Sequence, residues 1–327
     1  MTIVLTILCS VTALVLLGFC YQSIGKRNDR CRFPAPGRYV EVNGRRMHIV
    51  EKGTGPTVVL EAGIASSCLA WGSIEKRLAE EFHVIAYDRA GLGWSEKAQS
   101  PRTLDTIVDE LHSLLAASGA PGPYLLVGHS YGGLIVRSYA ARFPQQVTGM
   151  LLLDPVNPRE WMPMPPAQTH RLRRGVALSK RGALLARFGI VRFALALALS
   201  GSRRLPRLIA RLSAGRGAST TDRLAGEVRK LPPHTWPMIR MHWSHERCFA
   251  TMAEYLELLP ANVEVAVKGG WPREIPAIVL TVARADPDLP SGAIHRIAHK
   301  SGHWIQLDEP ELVIEAIREL ILSAKAT

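Results

Sequence analysis

The five cysteines (Cys9, Cys20, Cys31, Cys68 and Cys248) are few for 327 residues, and two of them fall within or at the end of an apolar leader. The other three show no metal-ligand spacing, which argues against a disulfide framework and against a cysteine-ligated metal site. Charge is also sparse, at 21% of residues against 47% hydrophobic, so a disordered polyelectrolyte is excluded and a sizeable core is expected. Acidic side chains are scarcest from Arg171 to Lys230, where 15 Lys and Arg meet only Asp222 and Glu227, a local net of +13. The whole chain carries +12, so the remainder is close to neutral. With no nucleic-acid motif beside it, this basic insert gives no reason to expect a nucleic-acid partner. The chain shows no internal repeat.

Thr2 to Tyr21 is almost wholly apolar, and Lys26, Arg27 and Arg30 are the first basic residues. About 20 such residues match a bilayer span. A cleaved signal peptide normally has positive charge before the apolar run and small residues at its cleavage site. Here the N-terminal flank has no basic side chain, and Leu17-Gly18-Phe19-Cys20 is a poor cleavage or lipobox sequence. A retained anchor over residues 1–25 and a basic linker over 26–37 are expected. Because the basic flank comes after the span, the charge rule puts the remaining chain on the cytoplasmic side.

From Tyr39 onward, strand and helix patterns alternate. Tyr39 to Val42 and Met47 to Val50 flank Asn43-Gly44, a hairpin signal. Strand patterns at Thr57 to Glu61, His83 to Tyr87, Tyr124 to Gly128 and Val147 to Leu153 are interleaved with helical ones at Trp71 to Glu80, Thr103 to Ser118 and Leu134 to Phe143. This order implies an α/β fold whose mostly parallel sheet is covered by helices on both faces. From Val156 to about Gly270 the alternation stops, in a segment rich in Pro, Arg, Ala and Leu. Within it, Leu205, Leu208, Ile209 and Leu212 share a helical face, with Arg204, Arg207 and Arg211 opposite. Strands then resume at Ala277 to Val282 and Ala293 to Ala298, and Glu309 to Ser323 closes as a helix. The expected organisation is a core over 38–155 and 273–327 interrupted by a helical cap over 156–272.

The chemistry is concentrated in Gly128-His129-Ser130-Tyr131-Gly132-Gly133, a glycine-flanked serine between a strand and a helix. Small residues on both sides let strand and helix pass closely, and the serine is lifted clear of the sheet. A serine hydroxyl needs a base to take its proton. His303, after the last strand and before the last helix, is the expected one. His129 reads as packing under the turn and His48 as a structural side chain in a strand, while His234, His242 and His245 are placed in the cap to touch substrate. The orienting acid comes after one of two strand ends, Asp154 or Asp286, and either keeps the order Ser, acid, His. The short interval from Asp286 to His303 favours Asp154. Oxyanion donors are expected from the Tyr131 N–H and from Ile64 in the Ala62-Gly63-Ile64 turn. Glu61 and Asp88 end strands before the serine and read as structural.

These motifs, with Val59-Leu60-Glu61-Ala62-Gly63, Tyr87-Asp88-Arg89-Ala90-Gly91-Leu92-Gly93-Trp94-Ser95 and Ser301-Gly302-His303, make the chain after residue 37 resemble the α/β-hydrolase superfamily, in particular its capped, often membrane-anchored serine hydrolases. The resemblance implies hydrolysis of an ester, thioester or similar acyl bond through an acyl-enzyme, with no metal or organic cofactor. Many members carry His-Gly where this chain has Glu61-Ala62-Gly63. Dehalogenase and epoxide-hydrolase relatives use an aspartate at the position of Ser130. An apolar cap with a basic fringe suits a small hydrophobic acyl substrate and contact with anionic headgroups. An acyltransferase on the same residues and a non-catalytic ligand-binding module are the alternative readings.

Overall fold

A computed structural model describes residues 1–199, 230–282, 289 and 292–326. The helical face placed at Leu205 to Leu212 and the candidate acid Asp286 lie outside them. Among the described residues eight strands form one sheet: β1 (Arg38–Val42), β2 (Arg45–Lys52), β3 (Thr57–Glu61), β4 (His83–Tyr87), β5 (Tyr124–His129), β6 (Val147–Leu153), β7 (Ala277–Thr281) and β8 (Ala293–Ile297). Their spatial order is β1-β2-β4-β3-β5-β6-β7-β8. The β1–β2 and β2–β4 pairs are antiparallel and the others parallel. Asn43 and Gly44 both have positive φ (51° and 72°), as the tight primed turn between β1 and β2 requires.

Successive strand side chains point to opposite faces, so each buried strand feeds two cores. Val59, Leu126, Met150, Leu152 and Val279 join one with α3 (Leu104–Ser118) and α4 (Tyr131–Arg142). Val58, Leu60, Leu125, Val127, Leu151 and Leu153 join the other, against α2 (Gly72–Leu78) and the closing helix α10 (Pro310–Ala326), which comes after the short α9 (Ile305–Asp308). Register fixes the pairing, with Val58 beside Leu125 and Leu60 beside Val127.

Between β6 and β7 lies the cap, comprising α5 (Pro166–Arg187), α6 (Ile190–Leu199), α7 (Trp236–Trp243) and α8 (Glu246–Lys268). It is fastened to the core by buried polar groups. Asn262 of α8 donates to the Tyr131 hydroxyl (2.8 Å) and the Arg102 carbonyl (3.0 Å), and its Oδ1 accepts the Leu104 N–H (2.8 Å). Glu110 of α3 receives Arg102 through both carboxylate oxygens (2.9 and 2.6 Å) and Arg45 from β2 (3.0 Å), all three side chains being almost solvent-free.

The N-terminal helix α1 runs unbroken from Thr2 to Arg32, through the stretch read from sequence as the start of a linker. Its best 18-residue window has a mean hydropathy of 2.6 and no buried residue, so it is long and apolar enough to span a membrane. The extension past Lys26 stays helical because its polar side chains find partners on the cap. Gln22 donates to the Ser244 carbonyl (2.8 Å), Lys26 pairs with Glu246, and Asp29 accepts from Arg192 (2.6 Å).

Removing the one carboxylate that two buried guanidinium groups share leaves both uncompensated. Glu110→Ala is therefore expected to cost about 3–5 kcal/mol, read as a lower urea midpoint of the purified chain. A loss below about 1 kcal/mol would mean the arginines are not held by this residue.

Candidate active site

The strand-to-helix turn puts Ser130 at φ 54° and ψ −118°, a conformation that an L residue avoids. The surroundings hold it there. The Ser130 N–H donates to the Leu153 carbonyl (2.9 Å), and its own carbonyl accepts the Gly133 and Val156 N–H groups (3.0 and 3.3 Å). A Cβ on Gly132 would lie 2.4 Å from the Glu61 carbonyl oxygen, and one on Gly128 2.6 Å from that of Gly132. Only glycine lets β3, β5 and α4 approach this closely.

Asp154 comes just after β6 with φ 41°, and its N–H donates to the Leu280 carbonyl (2.7 Å). That aims its carboxylate at the loop after β8. There His303 Nδ1 lies 2.6 Å from Asp154 Oδ2, which makes Nδ1–H the donor and leaves Nε2 free to accept a proton. The loop is pinned by Asp308, which accepts the Gly302 N–H (2.9 Å) and pairs with Lys230 (2.7 Å). The His303 imidazole is half exposed, and no hydrogen bond joins it to the Ser130 hydroxyl. So the structure brings His303 and Asp154 together, and His129, the residue before Ser130, packs against His303. The His129 ring centroid is 4.7 Å from that of His303, and a Cβ on Gly63 would be 3.4 Å from Ser130 Cβ.

His129 is buried and contacts the His303 carbonyl through Nε2 (2.8 Å). Burial, with the His303 imidazole beside it, pushes its pKa down to about 3. It is thus neutral and donates to that carbonyl. Its neighbour in function is a group that sequence reasoning passes over. Arg89 forms a buried ion pair with Glu61 (2.5 Å), and its guanidinium donates to the Ala62 and Gly63 carbonyls (2.7 and 2.6 Å). The turn carrying the Ile64 N–H is therefore held by a charged clamp. Glu61 at a strand end and a basic residue in the Asp88-Arg89 loop are the available signal, but nothing in their spacing of 28 positions says that they meet.

Asp88 is structural too. Burial works to raise its pKa, yet hydrogen bonds from His48 Nδ1 (2.8 Å) and the Trp94 N–H (2.9 Å) hold it below the usual carboxylate range. Cys68 Sγ completes a His48, Cys68, Asp88 cluster whose ligand atoms lie within 4.8 Å of one another. Its oxygen and nitrogen atoms are spoken for: Asp88 Oδ1 accepts the Cys68 N–H (2.8 Å) and His48 Nε2 the Gly37 N–H (3.2 Å). The cluster does not fit a metal without dismantling these bonds.

A cavity of about 180 Å³, mostly apolar, opens beside Ile64 and Trp304, with Leu92, His242, Trp243 and Met252 among its walls. Cys248 also borders it, but burial pushes that thiol up to about 12, so it is no nucleophile at neutral pH. Of the cap histidines, His242 reaches the cavity, whereas His234 is exposed and His245 turns to Asp29 of α1 (3.5 Å). His245 is turned from the cavity because α1 occupies its side of the cap.

Residues 56–234 match the model of the alpha/beta hydrolase fold. The chain belongs to the alpha/beta hydrolase family. An uncharacterized protein of Bacillus subtilis, YqjL, is 42% identical over 102 residues, which are 31% of this hydrolase-family chain and 40% of that protein. A second from the same organism, YbdG, is 27% identical over 192 residues, 56% and 57% of the two chains. The chain thus spans about half the length of these curated relatives or less. Among solved structures, a provisionally named epoxide hydrolase of Pseudomonas aeruginosa is similar with a TM-score of 0.64 at 18% identity, covering 89% of this chain and 97% of the other. A provisionally named acyltransferase of Salmonella enterica is similar at 0.62 and 18%, with the same coverage of 89% and 97%. At such identity the likeness is one of fold.

Two buried imidazoles bear on acid stability. His129 and His242 each have their pKa lowered from 6.5 to about 3, burial being the first cause. Below pH 6.5 the unfolded chain takes up protons that the folded chain refuses, so stability falls as pH drops toward 3. Each contributes up to about 1.4 kcal/mol per pH unit. Urea midpoints measured from pH 7 to pH 4 should fall, and His242→Gln should make the slope shallower; an unchanged slope would show that His242 does not resist protonation.

Proposed function

We propose that this chain is a serine hydrolase that cleaves an ester, thioester or similar acyl bond of a hydrophobic substrate. The observation that carries this reading is the Asp154–His303 hydrogen bond set beside a serine in strained backbone at the start of α4. In the proposed cycle His303 Nε2 takes the Ser130 proton as the hydroxyl attacks the acyl carbonyl, after a rotation of the half-exposed imidazole closes the distance. Asp154 holds the tautomer and stabilises the imidazolium. The Tyr131 N–H, at the positive end of α4, and the Ile64 N–H, on the turn gripped by Arg89, receive the oxyanion. The imidazolium then protonates the leaving group, and water repeats the sequence to free the acid.

Ser130 in place of a carboxylate favours acyl chemistry over the epoxide opening suggested by one neighbour's name. An acyltransferase would use the same residues and differ in the acceptor. The apolar cavity supports a hydrophobic acyl group, and α1 supports anchorage in a membrane, with the catalytic domain cytoplasmic by the charge rule.

A fluorophosphonate probe is expected to label the wild-type chain and not Ser130→Ala. On p-nitrophenyl esters of graded chain length, Asp154→Asn should lower kcat by about 10⁴-fold with folding intact, and Asp286→Asn should leave it within a few-fold. Labelling that persists in Ser130→Ala, or a larger loss in Asp286→Asn, would overturn the assignment. Added alcohols that divert product from acid to ester would move the reading to acyl transfer.

A further inference from the structure

The corner between α5 and α6 rests on α1. A Cβ on Gly18 would lie 2.5 Å from the Phe188 carbonyl oxygen, and one on Gly189 would lie 2.8 Å from Tyr21 Cδ1 and 3.0 Å from the Gly18 carbonyl oxygen. Two of these three contacts are backbone to backbone and the third is to the Tyr21 ring, with no room for lipid or water between. From that point α6 runs beside α1 toward its polar end: Arg192 crosses at Gly25 and donates to Gln22 Oε1 (2.8 Å) and Asp29 Oδ2 (2.6 Å). The Gln22 bond to the Ser244 carbonyl and the Lys26–Glu246 pair close the clamp from the α7–α8 side. The height of the corner along α1 is thereby fixed.

That height falls inside the apolar run. Gly18 precedes Tyr21, the end of the run, by three residues, about 4.5 Å of helix rise. The corner's own surface agrees with such a position. Leu184, Ile190 and Phe193 are 58%, 44% and 53% exposed, an unusual grouping of large apolar side chains for a surface facing water. Arg187, also exposed there, has a stem long enough to carry its charge up to headgroup level.

We propose that the α5–α6 corner of the cap is itself seated in the bilayer, with Leu184, Ile190 and Phe193 among the acyl chains of the leaflet that holds the C-terminal end of the α1 span. The partner is a lipid bilayer, contacted through apolar side chains and so without need for anionic headgroups. The proposal rests on α1 being a span. It makes α1 and the cap one membrane-seated body, and through Ser244 it holds α7, whose side chains wall the cavity, close to the lipid.

The test uses the full chain in neutral phosphatidylcholine vesicles, with an environment-sensitive fluorophore on one cysteine and a quencher on the lipid acyl chains. Cys9 alone, Ile190→Cys and Lys268→Cys are compared, the other exposed cysteines being replaced by serine; Cys68 and Cys248 are buried and stay unlabelled. The label at 190 should lose most of its emission, as the label at Cys9 does, while the label at 268 keeps it. Quenching at Cys9 with none at 190 would overturn the seating and leave the span standing. No quenching at either position would overturn both.

Discussion

A serine is held here in a backbone conformation that it does not choose. Its φ of 54° and ψ of −118° persist because both of its peptide groups are hydrogen-bonded to neighbouring strands and turns, and because glycine at 128 and 132 removes the atoms that would collide. Strain of this kind amounts to about 1–3 kcal/mol and survives only where surrounding structure over-determines it. The close contact of β3, β5 and α4 serves that end. It brings the Gly63 turn, the start of α4 and the loop of His303 to one place.

The buried charges act on geometry more than on stability. An ion pair taken out of water gains little over an apolar pair of the same shape, but losing one partner is costly. Glu61 with Arg89, and Glu110 with Arg45 and Arg102, therefore lock positions: the first grips the turn beside Ser130, the second ties α3 to the hairpin. Arg89 and Arg102 also stack on Tyr255 of α8, at 5.0 and 5.7 Å from its ring centre. Arg89, which grips the turn beside Ser130, thus also holds the cap, as does Arg102 from the α3 side.

Legibility in the sequence tracks the range of the interactions. The hairpin, the buried strands and the serine turn depend on residues within a few positions of one another, so periodicity and glycine placement reveal them. The interval before His303 favours Asp154 over Asp286, and the Asp154 carboxylate does lie against His303, although spacing alone does not dictate a 2.6 Å contact across 149 positions. Reading residues 26–37 as linker treats Lys26 and Asp29 as solvated charges; their partners, Glu246 and Arg192, are more than 160 positions away. His245 misleads for the same reason, since the helix that occupies its side of the cap comes from the opposite end of the chain.

The linear pattern alone carries the fold class, the apolar leader and the glycine-flanked serine turn, because these depend on local features: side-chain period, glycine at a tight turn, a run of about 20 apolar residues. Folding in three dimensions brings the Asp154 carboxylate to the His303 imidazole, the Arg89 guanidinium to the Gly63 turn and α1 against the cap. Those are matters of distance between groups far apart in the chain, and distance is set only when the sheet register and the cap packing are complete.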